Sequence, residues 1–595
     1  MPVRAGASGT LAFEKFLSAS ASADSKSFTI RATSEPAWQA VLALPALEEK
    51  CLENEASDSI FFRYYANAIA EKIANSDPQI RANFERWRNA PEMKSPLEND
   101  AAIKRIALEE TPFARDARGE TERRRAIAKF FDTNRIATEK TRALDELRKR
   151  LGACRENGWN WFPGRENVND FVTLNILTGF ARLREREIET DISLPMRAVS
   201  AQDKWLGARF DRFDENGKYV PGSLDSALAA YLYMRAFYAK EVPQSRADAW
   251  EHYLAQAKDP RNWLALPRMS QAHIALALYR TGGEENIAVA KRIAESIREH
   301  ATRTDELGVF WKDERALPWW RWDYSPIETQ AMMIELFENV AGDENFAEEI
   351  RINLLAHKQA NSWGNSRATA DAIWAVLGAK SGTAPLKIKC ESAGAPALEL
   401  ENVGKSTSEK TFVGNAVVPA LGKISVENPN SDGVAWVSAH WTFSQDISDV
   451  SEHGQNAMKI RKTLWKKSVR PDGTSALFPA RGEILEPGDE LVARLTIETD
   501  RDFEFVHMKD YRGSGTEPAN VLSGWKRKNA VWYYETPRDT ATHFFFEKLP
   551  AGTHVFEYSL RVQQRGKYTG GITELRSLYA PEFNAHSAAT SISTR

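Results

Sequence analysis

The stretch 157–183, NGWNWFPGRENVNDFVTLNILTGFARL, contains the unit that decides the fold. A loop of aromatic, glycine and proline residues runs to Gly164, and from 168 to 186 the apolar residues recur at the spacing of an amphipathic helix. The same order returns twice. YVPGS (219–223) leads into SLDSALAAYLYMRAFYA (223–239), and NSWGNS (361–366) leads into SRATADAIWAVLGA (366–379). Loops of one type before alternate helices place those loops on one face of a helical array, and such a face is a natural binding surface.

Working outward, 36–380 reads as helical throughout. Residues 58–74 carry helical spacing behind Asp58 as a cap, and 120–151 hold charged helices with Ile127, Phe130, Phe131, Ile136, Leu144 and Leu147 as a buried stripe. Residues 269–280 and 286–300, separated by Gly282 and Gly283, read as a helical hairpin. Residues 325–341 open Ser-Pro-Ile-Glu, a capping box with proline at the first helical position. Helices this short do not bury an apolar face alone. Paired antiparallel helices over this length imply an α/α array, either a solenoid or a closed toroid. No regular repeat period is evident, which weighs against the solenoid.

Beyond about 385 the period changes to two. LKIKCES (386–392), GKISVEN (422–428), GVAWVSAHWTF (433–443), ELVARLTIET (490–499), FEFVHMKDY (503–511), AVWYYET (530–536), THFFFEKL (542–549) and THVFEYSLRVQQ (553–564) alternate as strands do. Turn residues such as Asn428-Pro429-Asn430, Pro471-Asp472-Gly473 and Pro550-Ala551-Gly552 separate them. Many short strands with such turns predict antiparallel β-sandwiches. The basic run KIRKTLWKKSVR (459–470) reads as a solvated linker between two β regions.

Composition narrows the function. The chain has 595 residues, 42% hydrophobic and 27% charged, a globular composition long enough for several cores. Lys plus Arg number 79 and Asp plus Glu 82, so the net charge of −3 supports neither nucleic acid nor an anionic membrane as partner. No apolar run reaches the roughly 18 residues of a membrane-spanning helix. Residues 9–23, GTLAFEKFLSASASA, end like a cleavage site, but Glu14 and Lys15 interrupt the apolar stretch, so no signal peptide or lipobox is read there. Three cysteines make no disulfide framework. The 18 tryptophans, including Trp319, Trp320 and Trp322, suit packing first and glycan or apolar clefts second.

Motifs for nucleotides and metals are missing. There is no GxxxxGK[ST], GxGxxG, HExxH or paired CxxC, and the ten histidines are scattered. DRFDENG (211–217) puts Phe213 where a calcium loop needs an oxygen, so it reads as a charged turn. No metal, cofactor or enzymatic activity is expected. Cys51 alone has chemical promise, because a thiol just before a helix is shifted toward thiolate by the free amides.

EPAWQAVLALPAL (35–47), CLEN (51–54) and RYYANAIAEKIANSDP (63–78) together resemble the thioester region of bacterial alpha-2-macroglobulin-like proteins. The resemblance continues through 157–183, YSPIETQAMMIELF (324–337), 361–377, FEFVHMKDYRGSGTEPANVLSGW (503–525), 533–562 and GKYTGGITELRSLYAPEFNAHS (566–587). It implies a multidomain α plus β chain. An α/α toroid of the thioester-domain type (36–380) would be inserted in a split small β domain (1–35 and 384–458) and followed, after the 459–470 linker, by a macroglobulin-like β-sandwich (471–595).

The resemblance also implies the chemistry. Family members carry Cys-x-Glu-Gln, whose thiol and carboxamide condense to an internal thioester that a nucleophile of a trapped protease attacks. Here the positions are Cys51, Glu53 and Asn54. Asn54 is one methylene shorter than glutamine, so the expectation is an unreactive relic. The implied role is protein capture by an endopeptidase inhibitor of the periplasm or outer cell envelope, with proteases or other envelope proteins as partners. Family members carry N-terminal macroglobulin domains and a bait region ahead of this part, and those domains as a separate chain are a further expected partner. A non-inhibitory interaction module is the alternative, and an α/α-toroid enzyme acting on glycans or isoprenoids is a third reading.

Overall fold

The computed structural model describes residues 1–13, 26–33, 37–49, 56–76, 129–162, 164, 166–188, 190–213, 216–220, 222–312, 325–358, 362–379, 385–391, 398, 401–404, 407–454, 457–529, 531–577 and 583–595. Among these, twelve helices of about three to six turns dominate the first part. They are α1 (Ala37–Glu49), α2 (Ser57–Ser76), α3 (Thr133–Ala153), α4 (Asp170–Glu185), α5 (Ser193–Phe210), α6 (Ser226–Phe237), α7 (Ala247–Lys258), α8 (Arg268–Thr281), α9 (Glu284–Glu299), α10 (Pro326–Leu336), α11 (Glu344–Ala356) and α12 (Ser366–Leu377).

The even-numbered helices form the inner layer. α2 packs on α4, α4 on α6, α6 on α8, α8 on α10, α10 on α12, and α12 returns to α2. That circuit is closed, so the array is a toroid and the solenoid alternative is excluded. The odd-numbered helices lie outside. α3 packs on α2, α5 on α4, α9 on α8 and α11 on α10, while α1, first in sequence, completes the outer layer against α12, the last. One continuous core runs round the ring, from Leu44, Phe61 and Ile69 through Phe180, Leu232 and Leu276 to Met333 and Ile373. Helix types follow from position. The outer helix α9 exposes Glu284, Glu285 and Glu299 and buries Val289, Ile293 and Ile297, whereas α6 buries every residue from Leu228 to Ala236.

The two chain segments flanking the ring pair with each other. Strand Ser27–Thr33 lies between Ala435–Thr442 and Thr407–Val413 in one antiparallel sheet. Ser8–Ala12 pairs with Lys423–Glu427 in a second. Phe28, Ile30, Leu421, Ile424, Val426 and Val437 are the shared core. The helical ring is thus an insertion in a small β domain. Arg4 ties that domain to the ring. Its guanidinium forms a two-point ion pair with Glu349 of α11, with Nη2 to Oε2 at 2.9 Å.

The C-terminal part is a sandwich of antiparallel sheets. One contains Ser475–Pro479, Met458–Val469, Glu490–Thr499, Gly552–Val562 and Thr516–Pro518 in that spatial order. The other runs Gly524–Lys528, Val531–Pro537, Ala541–Leu549, Phe503–Tyr511, Thr573–Ser577, Asn584–His586. Ile460, Leu495, Val506, Met508, Phe544, Phe546 and Phe556 fill the space between them. The expected linker at 459–470 is therefore corrected. It is a twelve-residue strand, paired on both sides by Ser475–Pro479 and Glu490–Thr499. The first positions alternate, so Met458 and Ile460 reach the core while Lys459 and Arg461 stay in water, and Lys462 continues the inward row as a buried cation. Counting charge concealed the period of two.

Candidate functional site

The ring has one face at which loops enter the inner helices. Asn169, Asp225 and Asn365 cap α4, α6 and α12 there, each side-chain oxygen accepting a backbone N–H in the first turn. α2 begins on the same face, at Ser57, and the segment before it is 50–56. Cys51, Glu53 and Asn54 lie in it, outside the described residues, so the structure places only what flanks them. On one side Glu48 is buried, paired with Arg135 and accepting from Asn67 Nδ2 at 3.4 Å. On the other, the Ser57 amide donates to the Trp161 carbonyl at 3.0 Å, and Arg150 Nη1 donates to Ser57 Oγ at 3.3 Å. The aromatic loop that opened the sequence reading is thus fastened to the start of α2, directly after the motif. Trp161 stacks on Phe171, with ring centres 5.8 Å apart.

The tryptophans of this face share one construction. Trp159 Nε1 donates to the Leu147 carbonyl of α3 at 3.0 Å, Trp311 to Ile297 of α9 at 2.9 Å, and Trp363 to Leu354 of α11 at 2.7 Å. Two of the indoles bond a carbonyl in the last turn of the preceding outer helix, Ile297 and Leu354, whereas the Leu147 carbonyl lies further in, inside α3. For two of them the next inner helix answers. The Trp159 amide donates to Thr173 Oγ1 at 2.9 Å, and the Trp363 amide to Thr369 Oγ1 at 3.0 Å. This is an internal repeat of contacts. Its signal is Trp, then a capping Asn, then Thr four residues on, with loops of different length between Trp and Asn. The unequal loops erase any fixed period. Trp319, Trp320 and Trp322 lie outside the described residues.

Below this face the inner helices enclose a cavity of about 50 Å³, lined among others by Asp58, Phe61, Phe62, Tyr65, Arg182, Tyr233, His273, Arg367 and Asp371. Gly179 permits it. A Cβ there would meet the Phe61 ring at 2.3 Å, so only glycine lets α2 and α4 approach this closely. Asp58 does not close a helix end from outside. It sits in the first turn of α2, accepts the Ser59 amide at 2.9 Å, and burial raises its carboxyl above the usual range.

The charges beneath are matched. Arg182 lies 2.5 Å from Asp371 and 3.5 Å from Glu335, and donates to the Tyr233 hydroxyl at 3.2 Å. Tyr233 donates to Glu335 at 2.6 Å, and Arg280 reaches Glu335 at 2.7 Å. Glu328 does not serve a capping box. It turns inward to Arg367 at 3.2 Å, and the Ser325 side chain makes no capping bond. His273 is 5% exposed, its Nδ1 has no partner among the described residues, and burial holds its ring neutral, with a pKa pushed down to about 3. Each of these carboxylates except Asp58 has a guanidinium against it, which makes the cluster a buried polar tie across the ring. The 211–217 run is likewise structural. Asp211 pairs with Arg246 at 2.6 Å, and Phe213 bridges to Tyr219. No group of three or more metal-ligating side chains occurs among the described residues, and none of their helices is long and apolar enough to cross a membrane.

The last domain carries the family signature. Residues 458–582 match the family described as the bacterial alpha-2-macroglobulin MG10 domain. The chain thus resembles the C-terminal part of a bacterial alpha-2-macroglobulin, and this match shows that resemblance. Among solved structures, it is similar over its full length to native Escherichia coli alpha-2-macroglobulin from domain MG7 to the C-terminus, at 12% identity, TM-score 0.33 and 81% of that chain. It is also similar to the E. coli protein activated by porcine elastase, at 14%, 0.41 and 46% of that chain, and to the Salmonella protein reacted with methylamine, at 13%, 0.30 and 33%. The chain therefore spans most of the first and between a third and a half of the others. No curated protein matches it.

Proposed function

We propose that this chain is the protein-capturing, C-terminal part of a bacterial alpha-2-macroglobulin-like endopeptidase inhibitor of the cell envelope, acting without a covalent thioester. The observation that supports it is the match of residues 458–582 to the bacterial MG10 domain, downstream of a closed helical ring inserted in a split β domain. Asn54 in place of glutamine supports the non-covalent form, since the shorter carboxamide strains the ring that the acyl transfer requires. The matched charges under the loop face support a binding scaffold over a catalyst.

The test is intact mass with and without methylamine, thiol titration, and native size exclusion with an added endopeptidase. The expected results are the calculated mass, a titratable Cys51, no methylamine adduct, and co-elution of a protease that separates in detergent. A mass about 17 Da low, the loss of one ammonia, with a gain on methylamine would replace this reading by covalent capture. No co-elution would sink capture in either form.

A further inference from the structure

We draw no further inference here: the strongest candidate, the cavity inside the helical ring lined by Asp58, His273 and Arg367, belongs to the buried polar tie already described, and nothing in the structure shows what ligand it would take.

Discussion

Lys462 Nζ lies 2.7 Å from Asp510 Oδ1, with both side chains wholly enclosed between the sheets of the C-terminal domain. The pair is satisfied on every side. The ammonium also donates to the carbonyls of Tyr511 at 2.5 Å and Gly570 at 2.9 Å. The carboxylate accepts from Tyr558 at 2.6 Å and Thr573 at 2.7 Å. Burial, with Asp510 alongside, pushes the Tyr558 hydroxyl well up, so it remains a donor.

Lys462→Met leaves Asp510 charged and uncompensated in the core, and should cost about 3–5 kcal/mol of domain stability. Lys462→Met with Asp510→Leu should recover most of it. Urea unfolding of the two variants checks this, and equal losses would mean that the pair is not the unit of stabilisation.

Acid should destabilise the fold through its buried histidines. Burial lowers His273 to about 3 and His543 to about 4, and pushes His507 well below its ordinary value, with the neighbouring charges adding to each shift. The unfolded chain binds these protons near pH 6.5 and the folded chain does not. Stability is therefore complete above about 6.5 and falls as pH drops, each histidine contributing up to about 1.4 kcal/mol per pH unit until its folded value is reached. Melting temperature between pH 7 and 5 reads the slope, and His273→Asn should flatten it.

The tryptophan hooks should be worth their hydrogen bonds. Thr173→Val leaves the buried Trp159 amide without its acceptor, an expected loss of about 1–3 kcal/mol. Trp159→Phe removes the bond to Leu147 and opens a void, at about 2–4 kcal/mol. Trp363→Phe should behave alike, because its bond to Leu354 is built the same way. Thermal unfolding of the three variants measures the losses.

Arg4→Ala should loosen the small β domain from the ring at modest cost, about 1–2 kcal/mol for a half-exposed two-point ion pair. Arg303 keeps a second contact to Glu349 at 3.2 Å, so the ring itself should hold. Hydrogen exchange confined to the β domain would confirm the division, and exchange spreading through α11 would contradict it.

Much of this architecture was legible because period and punctuation agree. Gly282 and Gly283 end α8 and open α9 as read, and the strands Phe503–Tyr511, Ala541–Leu549 and Gly552–Val562 stand where alternation put them. Two features were not. Met458–Val469 was obscured because its outward positions are lysines and arginines that a charge count takes for a linker, although the inward Met458 and Ile460 keep the period. Ring closure was unreadable from local pattern, since the contact of α1 with α12 joins residues more than 300 apart in sequence. At the candidate site, Cys51 was singled out by its place just before a helix, and Glu53 and Asn54 only through resemblance. The polar tie of Arg182, Glu335 and Asp371 left no signal, because its members sit on three different helices.

Closure by the first and last helices sets an order of assembly. A ribosome delivers α1 before the rest of the ring, yet its partner α12 does not exist until Leu377 has been synthesised. The strand Ser27–Thr33 waits longer still, for a neighbour that ends at Thr442. Nascent chains must therefore carry an unfinished sheet edge and an uncovered helix face while the whole ring is being synthesised. Such surfaces invite pairing with the wrong chain, so yield in a cell should depend on elongation rate and on holding chaperones more than on the stability of the finished ring.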